Sequence, residues 1–439
     1  MKRLADMLDA PPLTAYTYSY PHKTAHRPLD PPVALRDLWS AEDRRSLFLY
    51  LHVPFCPRRC GYCNLFSLAL PQEPLVRRWL DAVERHAERV CLALDGAQFA
   101  QIAIGGGTPT LLDLPDLDRL LRVAERIRED AAGKVPVSVE VSPSTVSKEK
   151  LMRLKQFGAT RLSIGVQTFD PKEASLLDRP QSAELLDRAL QTIREVNFPV
   201  LNIDLMYGLP GQTLDSWRRS ILAVLSWRPE EIFLYPLYTR PLTRLASHSQ
   251  QQEDWRGSAY REARDSLLDE GYAQASMRMF RASHAPQQDS PLYRCQDDGM
   301  VGIGCGARSY TRTLHYSTPY AVSPRNVADL IEQYAVRTTE SFDWADYGFR
   351  LDAEDQKRRY ALLSLLEHDG LAVTAYAARF GSHPLTDLPE LQPLVELGLV
   401  NVSSDIFRLT ERGMEQSDAI GPWLYSNKVR RLMEAYSPC

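Results

Sequence analysis

Leu47-Phe-Leu-Tyr-Leu-His-Val53 runs directly into Pro54-Phe-Cys56-Pro-Arg-Arg-Cys60-Gly-Tyr-Cys63. The first seven residues are apolar and aromatic, a short β-rich run that predicts a buried strand. Three cysteines then fall within eight residues. Secreted disulfide frameworks spread their cysteines in pairs, whereas this chain has seven in all, an odd number. Crowded thiols in a reducing compartment predict a metal or redox site. Three closely spaced thiolates can hold three irons of a [4Fe–4S] cube and leave the fourth open to a small molecule. A structural zinc site would bring two well-spaced ligand pairs.

Outward from this stretch the same kind of run recurs at Phe99–Ile104, Val135–Val141, Arg161–Val166, Val200–Met206 and Ile232–Leu237. Amphipathic stretches separate the runs. Leu75, Trp79, Val83, Ala87, Val90 and Leu94 share one helical face, as do Leu117, Leu120, Leu121, Ala124 and Ile127. Further helices are predicted over 147–157, 182–196 and 213–226. Six β–α units in series imply a parallel sheet with right-handed crossovers, two units short of a closed eight-fold barrel. The predicted fold class is α/β, an open three-quarter (β/α)6 TIM-like barrel over residues 46–250. Ligands belong at the C-terminal ends of such strands.

The flanks read differently. Residues 1–45 contain Pro11-Pro12, Pro28 and Pro31-Pro32 and read as an irregular N-terminal arm that covers the barrel. Its Tyr16, Tyr18, Tyr20 and His22 are candidates for substrate contacts. Residues 251–350 form a connecting segment that completes the active site, with a helix near 255–270 and the Gly-rich Gly299–Ser309. Residues 351–439 form a C-terminal domain. Helical stretches at Tyr360–Leu366, Val373–Phe380 and Leu391–Leu397 precede a hairpin, Leu399–Val402 with Phe407–Leu409, which is the winged-helix order. The recognition-helix candidate has no dense basic face, and the net charge is −4, so nucleic acid is not favoured. Apolar residues at 44% and charged residues at 25% suit a soluble globular protein. No apolar run reaches the roughly 18 residues of a membrane span, and Met1–Ala10 carries charges where a secretory signal is apolar. A cytoplasmic protein is expected.

Strand ends carry the remaining candidates. Gly105-Gly106-Gly107 lets backbone approach a ligand closely. Glu140 ends the third strand, where a carboxylate suits ribose hydroxyls. Gln167 and Asp204 end the fourth and fifth strands, and a polar residue buried at a barrel mouth needs a partner that a ligand can provide. The planar fork of Arg179 suits a carboxylate. His52 either packs or hydrogen-bonds beside the cysteine loop. Cys91 belongs to a helix core, and Cys295, Cys305 and Cys439 lack compact spacing for a second cluster.

CxxxCxxC on the first loop of a partial barrel is similar to the signature of radical S-adenosylmethionine (SAM) enzymes. Tyr50-Leu-His-Val-Pro-Phe-Cys56, Gly105-Gly-Gly-Thr-Pro-Thr110, Arg161-Leu-Ser-Ile-Gly-Val-Gln167 and Asp204-Leu-Met-Tyr-Gly-Leu-Pro210 resemble the HemN/HemW-like group. The resemblance runs through residues 47–310, and the C-terminal unit resembles the family's winged-helix-like domain. The group includes oxygen-independent coproporphyrinogen III oxidase, a haem chaperone, and radical SAM methylases and cyclopropanases. The resemblance implies a [4Fe–4S] cluster on Cys56, Cys60 and Cys63 whose open iron binds the amino and carboxylate groups of SAM. Reduction then yields methionine and a 5′-deoxyadenosyl radical that abstracts hydrogen. Implied SAM contacts are Gly106, Gly107 and Thr108 at the amine, Arg179 at the carboxylate, and Tyr50, Tyr62, Glu140, Gln167, Asp204, Leu237 and Arg308. The implied activity is hydrogen abstraction from a small-molecule or peptide substrate, as in a HemN-like methylase or cyclopropanase using two SAM. A haem-binding chaperone and the oxidase are the alternatives. The implied partners are the substrate and a flavodoxin-type or other low-potential electron donor. Two departures concern the substrate side. The oxidase carries an extra cysteine two residues after the third ligand, where this chain has Leu65. The chaperones carry Asp-Phe after that ligand, where this chain has Asn64-Leu65.

Overall fold

The computed structural model describes residues 4–8, 17–128, 135–247, 254–287 and 293–437. Pro11-Pro12, Tyr16 and Cys439 lie outside them. The main strands are β1 (Arg27–Ala34), β2 (Leu47–Val53), β3 (Phe99–Gly106), β4 (Val137–Val141), β5 (Ala159–Gln167), β6 (Val200–Tyr207), β7 (Glu231–Pro236), β8 (Tyr272–Gln274), β9 (Met279–Ala282), β10 (Met300–Ile303), β11 (Arg308–Tyr310), β12 (Leu314–Ser317) and β13 (Trp344–Arg350). They form one sheet in the order β1-β13-β12-β11-β10-β2-β3-β4-β5-β6-β7-β9-β8. Strands β2 to β7 are consecutive parallel neighbours, as the sequence rhythm predicts. β1 and β8 are the end strands of this order.

Helices cover the outer face: α1 (Glu73–Leu94), α2 (Leu114–Arg128), α3 (Lys148–Phe157), α4 (Pro171–Leu176), α5 (Ala183–Val196) and α6 (Leu214–Ser226). The buried residues of α1 include Leu75, Trp79, Val83, Ala87, Val90 and Leu94, the stripe read from the sequence. Ser147 and Gly158 bracket α3. The serine hydroxyl accepts from Lys150 N, and the glycine takes the left-handed conformation that ends helices.

Two segments depart from their reading. The Pro-rich arm is not irregular throughout, because β1 pairs antiparallel with β13, with a register shift between Pro28 and Val33. Proline cannot donate to a ladder, so it is confined to edges and bulges. The same composition that suggests irregularity is therefore compatible with an edge strand. The Gly-rich segment supplies β10, which pairs parallel with β2 and extends the parallel set beyond the six predicted strands. There Gly302 lies where any Cβ would press on the backbone of Arg308 in the neighbouring β11.

After β13 the chain forms α7 (Ala353–Leu365), α8 (Val373–Phe380) and α9 (Leu391–Glu396). They pack with a small sheet of Leu371–Ala372, Ile406–Leu409 and Val400–Ser403, in that order, which is a winged-helix-like arrangement. Leu4, Tyr20 and Ala25 of the arm are buried in the same apolar core. Tyr20, fully buried, donates its hydroxyl to Asp355 Oδ1 at 2.7 Å. No described helix is long and apolar enough to cross a membrane.

A buried ion pair joins the C-terminal segment to the barrel. Arg278, just before β9, donates to Asp418 Oδ1 at 2.5 Å, and their side chains are 5% and 1% exposed. Tyr238 donates to the other carboxylate oxygen at 2.5 Å. Removing one partner of such a pair strands the other charge without water. Asp418→Ala is therefore expected to lower stability by about 3–5 kcal/mol. An unchanged urea or thermal midpoint would refute this.

Candidate functional site

The cysteine loop is pinned from beneath. Phe55, fully buried, meets Trp79 of α1 edge-to-face, with ring centroids 5.2 Å apart. Phe55–Cys56 pairs parallel with Leu68–Ala69, which closes the loop at its base. Gly61 N donates to Leu177 O at 2.8 Å, and Leu245 N donates to Gly61 O at 3.1 Å. The loop is thus tied both to the end of α4 and to the chain beyond β7. Cys56, Cys60 and Cys63 are all half-buried and line one cavity of about 390 Å³.

Burial pushes the Cys56 thiol up to about 12 and raises that of Cys63. Free thiolates are therefore disfavoured here, whereas a coordinated thiol is deprotonated by its metal. Among the described residues no three His, Cys, Asp or Glu groups converge on a single ion. The CxxxCxxC spacing of Cys56, Cys60 and Cys63 suits a cube, in which each thiolate holds a different iron. Arg179 brings a compensating charge, its Nη1 lying 3.4 Å from Cys60 Sγ.

The glycine loop approaches the cysteine loop backbone to backbone. Gly107 N donates to Val53 O and Thr108 N to Phe55 O, both at 2.7 Å. A Cβ on Gly107 would fall on the Phe55 backbone. Gly106 has φ 106° and sits over His52, whose ring occupies the place of a side chain. His52 bonds rather than merely packs. Burial pushes its imidazole down to about 4, so Nε2–H donates to Phe66 O at 2.9 Å, and Nδ1 accepts from Tyr50 Oη at 3.2 Å.

The strand ends complete the cavity. Its lining includes Tyr62, Gly106, Gly107, Thr108, Glu140, Gln167, Arg179 and Asp204 together with the three cysteines. Glu140 lies deep in the barrel yet stays exposed to the cavity, and Oε2 accepts from Gly106 N at 3.0 Å. Burial pushes its carboxyl up to about 7 against that hydrogen bond. Burial likewise raises Asp204 to about 6, although Asn202 donates to its Oδ1 at 2.7 Å. Gln167 has φ 71°, uncommon for a residue with a side chain, and follows a register shift after Gly165. Arg179 Nη2 donates to Gly165 O at 2.5 Å, while its buried Nε has no partner among the described residues. A cavity lined by three thiols, two carboxylates and an under-satisfied guanidinium fits a cluster plus an amino acid-bearing nucleoside.

Three candidates do not line this cavity. Tyr50 lies beneath it on β2, bonded to His52. Leu237 is buried in a patch of Leu177, Met206, Leu209 and Leu245, on which Tyr62 packs. Arg308 stacks on Tyr18 of the arm. The structure adds Ser142, Ser163 and Gly165 to the lining. Two of these were legible, because Arg161, Ser163, Gly165 and Gln167 occupy alternate positions of β5 and so share its inner face. Ser142, one residue past β4, carries no such signal.

Comparison with known proteins bears on both parts of the chain. Residues 50–224 match the Radical SAM superfamily, and residues 351–415 match the HemN C-terminal domain. The heme chaperone HemW of Bacillus subtilis is 29% identical over 378 residues, 83% of this chain and 95% of that protein. The oxygen-independent coproporphyrinogen III oxidase of Cereibacter sphaeroides is 32% identical over 356 residues, 77% of each chain. The crystal structure of coproporphyrinogen III oxidase (HemN) from Escherichia coli superposes with a TM-score of 0.78 at 23% identity. That match covers 94% of this chain and 97% of the other.

Proposed function

Because this chain belongs to the HemN/HemW-like family of the radical SAM superfamily, we propose that it is a catalyst that cleaves SAM reductively and abstracts hydrogen from a small-molecule or peptide substrate. The observation that carries the reading is the single cavity that gathers the three cysteines, the glycine loop, Arg179, Glu140 and Asp204. Cys56, Cys60 and Cys63 would hold a [4Fe–4S] cluster, which supplies an open iron and a low-potential electron. Gly106, Gly107 and Thr108 border the place of the SAM amine. Arg179, with one unsatisfied Nε–H, offers its fork to the carboxylate. Glu140 and Asp204 accept from ribose hydroxyls, and Asn202 and Gly106 hold the two carboxylates in place. The Phe55 backbone packs directly beneath Gly107, which leaves no room there for a side chain.

Leu65, where the oxidases have a cysteine, is 49% exposed and lines the cavity. It offers no thiol to the substrate side. This supports hydrogen abstraction coupled to another outcome, such as methyl transfer, over oxidation of coproporphyrinogen. The chaperone reading draws on the 95% coverage of the Bacillus protein. One anaerobic experiment separates the readings. Reconstituted protein is given reductant, SAM and haem in turn. Release of 5′-deoxyadenosine is expected, slowly even without substrate, and S-adenosylhomocysteine beside it would mark methyl transfer. Stoichiometric haem uptake with no SAM cleavage would overturn catalysis in favour of the chaperone. Multiple-turnover formation of protoporphyrinogen IX from coproporphyrinogen III would overturn the exclusion of the oxidase.

A further inference from the structure

The SAM side of the site is acidic, with Glu140 and Asp204 in the cavity lining. The other side of the cysteine loop is cationic. Lys23 of the arm places Nζ 3.5 Å from the centre of the Tyr320 ring. Arg308 of β11 stacks on Tyr18 at 4.7 Å and donates from Nη1 to its hydroxyl at 2.7 Å. Arg240, beyond β7, lies 5.1 Å from the Tyr238 ring. The three come from distant parts of the chain and converge. Burial first, then the charges of Arg308 and Arg240, hold the Lys23 ammonium well below its usual range, while the Cys63 sulfur acts on it in the opposite sense. Tyr320 donates its hydroxyl to Asn64 O at 2.6 Å, so this group is tied to the residue that follows the third cysteine.

Among the described residues none of the three makes an ion pair with a carboxylate, although Arg240 acts on Asp418, whose own ion pair is with Arg278. This sets them apart from other deep arginines, such as Arg264 with Glu415, Arg278 with Asp418 and Arg358 with Glu390. Unpaired cations away from bulk water are costly and persist where something compensates them. Compensation by a cluster does not account for the group. Arg179 and Arg59 already stand beside the thiols. Burial acts most on Arg308, and the leading groups beside it are Tyr18, Tyr310 and Tyr50. All three cations are half-buried, as are Tyr18 and Tyr320.

We propose that Lys23, Arg240 and Arg308 form the receptor for an oxyanion group of the substrate, a carboxylate or a phosphate, held between the arm and the cysteine loop. This rests on the radical SAM reading and names the chemistry of its substrate. The forks of Arg240 and Arg308 suit either oxyanion, and the tyrosine rings give apolar walls to the body that carries it.

The test is calorimetric titration of the reconstituted holoenzyme, with SAM present, using benzoate, phenyl phosphate and neutral benzamide. At least one anion should bind while benzamide does not, and the stronger anion identifies the group. Lys23→Met and Arg308→Met should each weaken that anion roughly tenfold or more, as expected for loss of a charge-assisted contact. Lys23→Arg should restore most of the affinity, and Arg240→Met stands in should Arg308→Met fail to fold. Iron content and SAM affinity of Lys23→Met should equal the parent's. Anions binding no better than benzamide, or equally to parent and variants, would overturn the proposal. So would a Lys23→Met variant that loses its cluster but keeps its anion affinity. A parent without a cluster would instead sink the radical SAM reading, so the two failures are distinct.

Discussion

Replacing Cys56, Cys60 and Cys63 together by alanine abolishes iron and sulfide binding, where the parent binds about four of each per chain after anaerobic reconstitution. The three thiols face one cavity from a loop pinned by Phe55, Gly61 and the Leu68–Ala69 pairing. Cys91 and Cys305 belong to the apolar core, and Cys295 packs against the C-terminal core, so none of them can substitute. The triple variant should stay folded, because backbone hydrogen bonds at Gly61 and the Phe55–Cys56 pairing with Leu68–Ala69 hold the loop without the thiols. Metal analysis and the visible absorption of the reconstituted protein provide the check. A triple variant that retained a full cluster would remove the basis of the whole reading.

Asp204→Ala and Arg179→Ala should each weaken SAM binding by about tenfold to a hundredfold, the size expected when one charge-assisted hydrogen bond is lost. Iron content should persist in Asp204→Ala, whose side chain lies within β6, bonded to Asn202 rather than to the cysteine loop. Arg179 is the more exacting case, since its Nη1 also lies near Cys60 Sγ. Arg179→Lys keeps the charge without the fork and should recover cluster retention more than SAM affinity. The same site sets a pH dependence. Burial holds Asp204 at about 6 and Glu140 at about 7, both above the ordinary range for carboxyls. Ionised carboxylates accept ribose hydroxyls best, so SAM affinity should rise from pH 5.5 to 7.5 and level off above. Stability runs the other way over that window, because the folded chain holds protons there that the unfolded chain has released. Glu140→Gln and Asp204→Asn should flatten both profiles. Unaltered SAM affinity in both alanine variants would dismantle the strand-end assignment and leave the cluster intact.

The barrel was legible because its physics is local. Each parallel strand is a buried apolar run, each helix shows its stripe, and a polar residue at the end of a buried run marks the mouth. Glu140 and Gln167 follow from that rule, whereas Asp204 stands inside β6, three residues before its end. What escaped the reading depends on distance or on backbone shape. β10 is four residues with a glycine inside, too short to show a period, and only its pairing with β2 defines it. β1 is hidden by its prolines. The positive φ of Gln167 leaves no trace in composition. Arg278 and Asp418 lie 140 positions apart, and nothing local announces their pairing. The cation group is illegible for the same reason, being assembled from residues 23, 240 and 308.

The anchoring of the arm has a consequence for biosynthesis. Tyr20 bonds Asp355 and Thr17 bonds Tyr425, across 335 and 408 positions. A ribosome makes the arm first and its anchors last. While β2 to β7 emerge and pair in order, the arm has nowhere to dock. Contacts of such long range form late. The arm therefore stays undocked until the C-terminal unit that holds Asp355 and Tyr425 has been made.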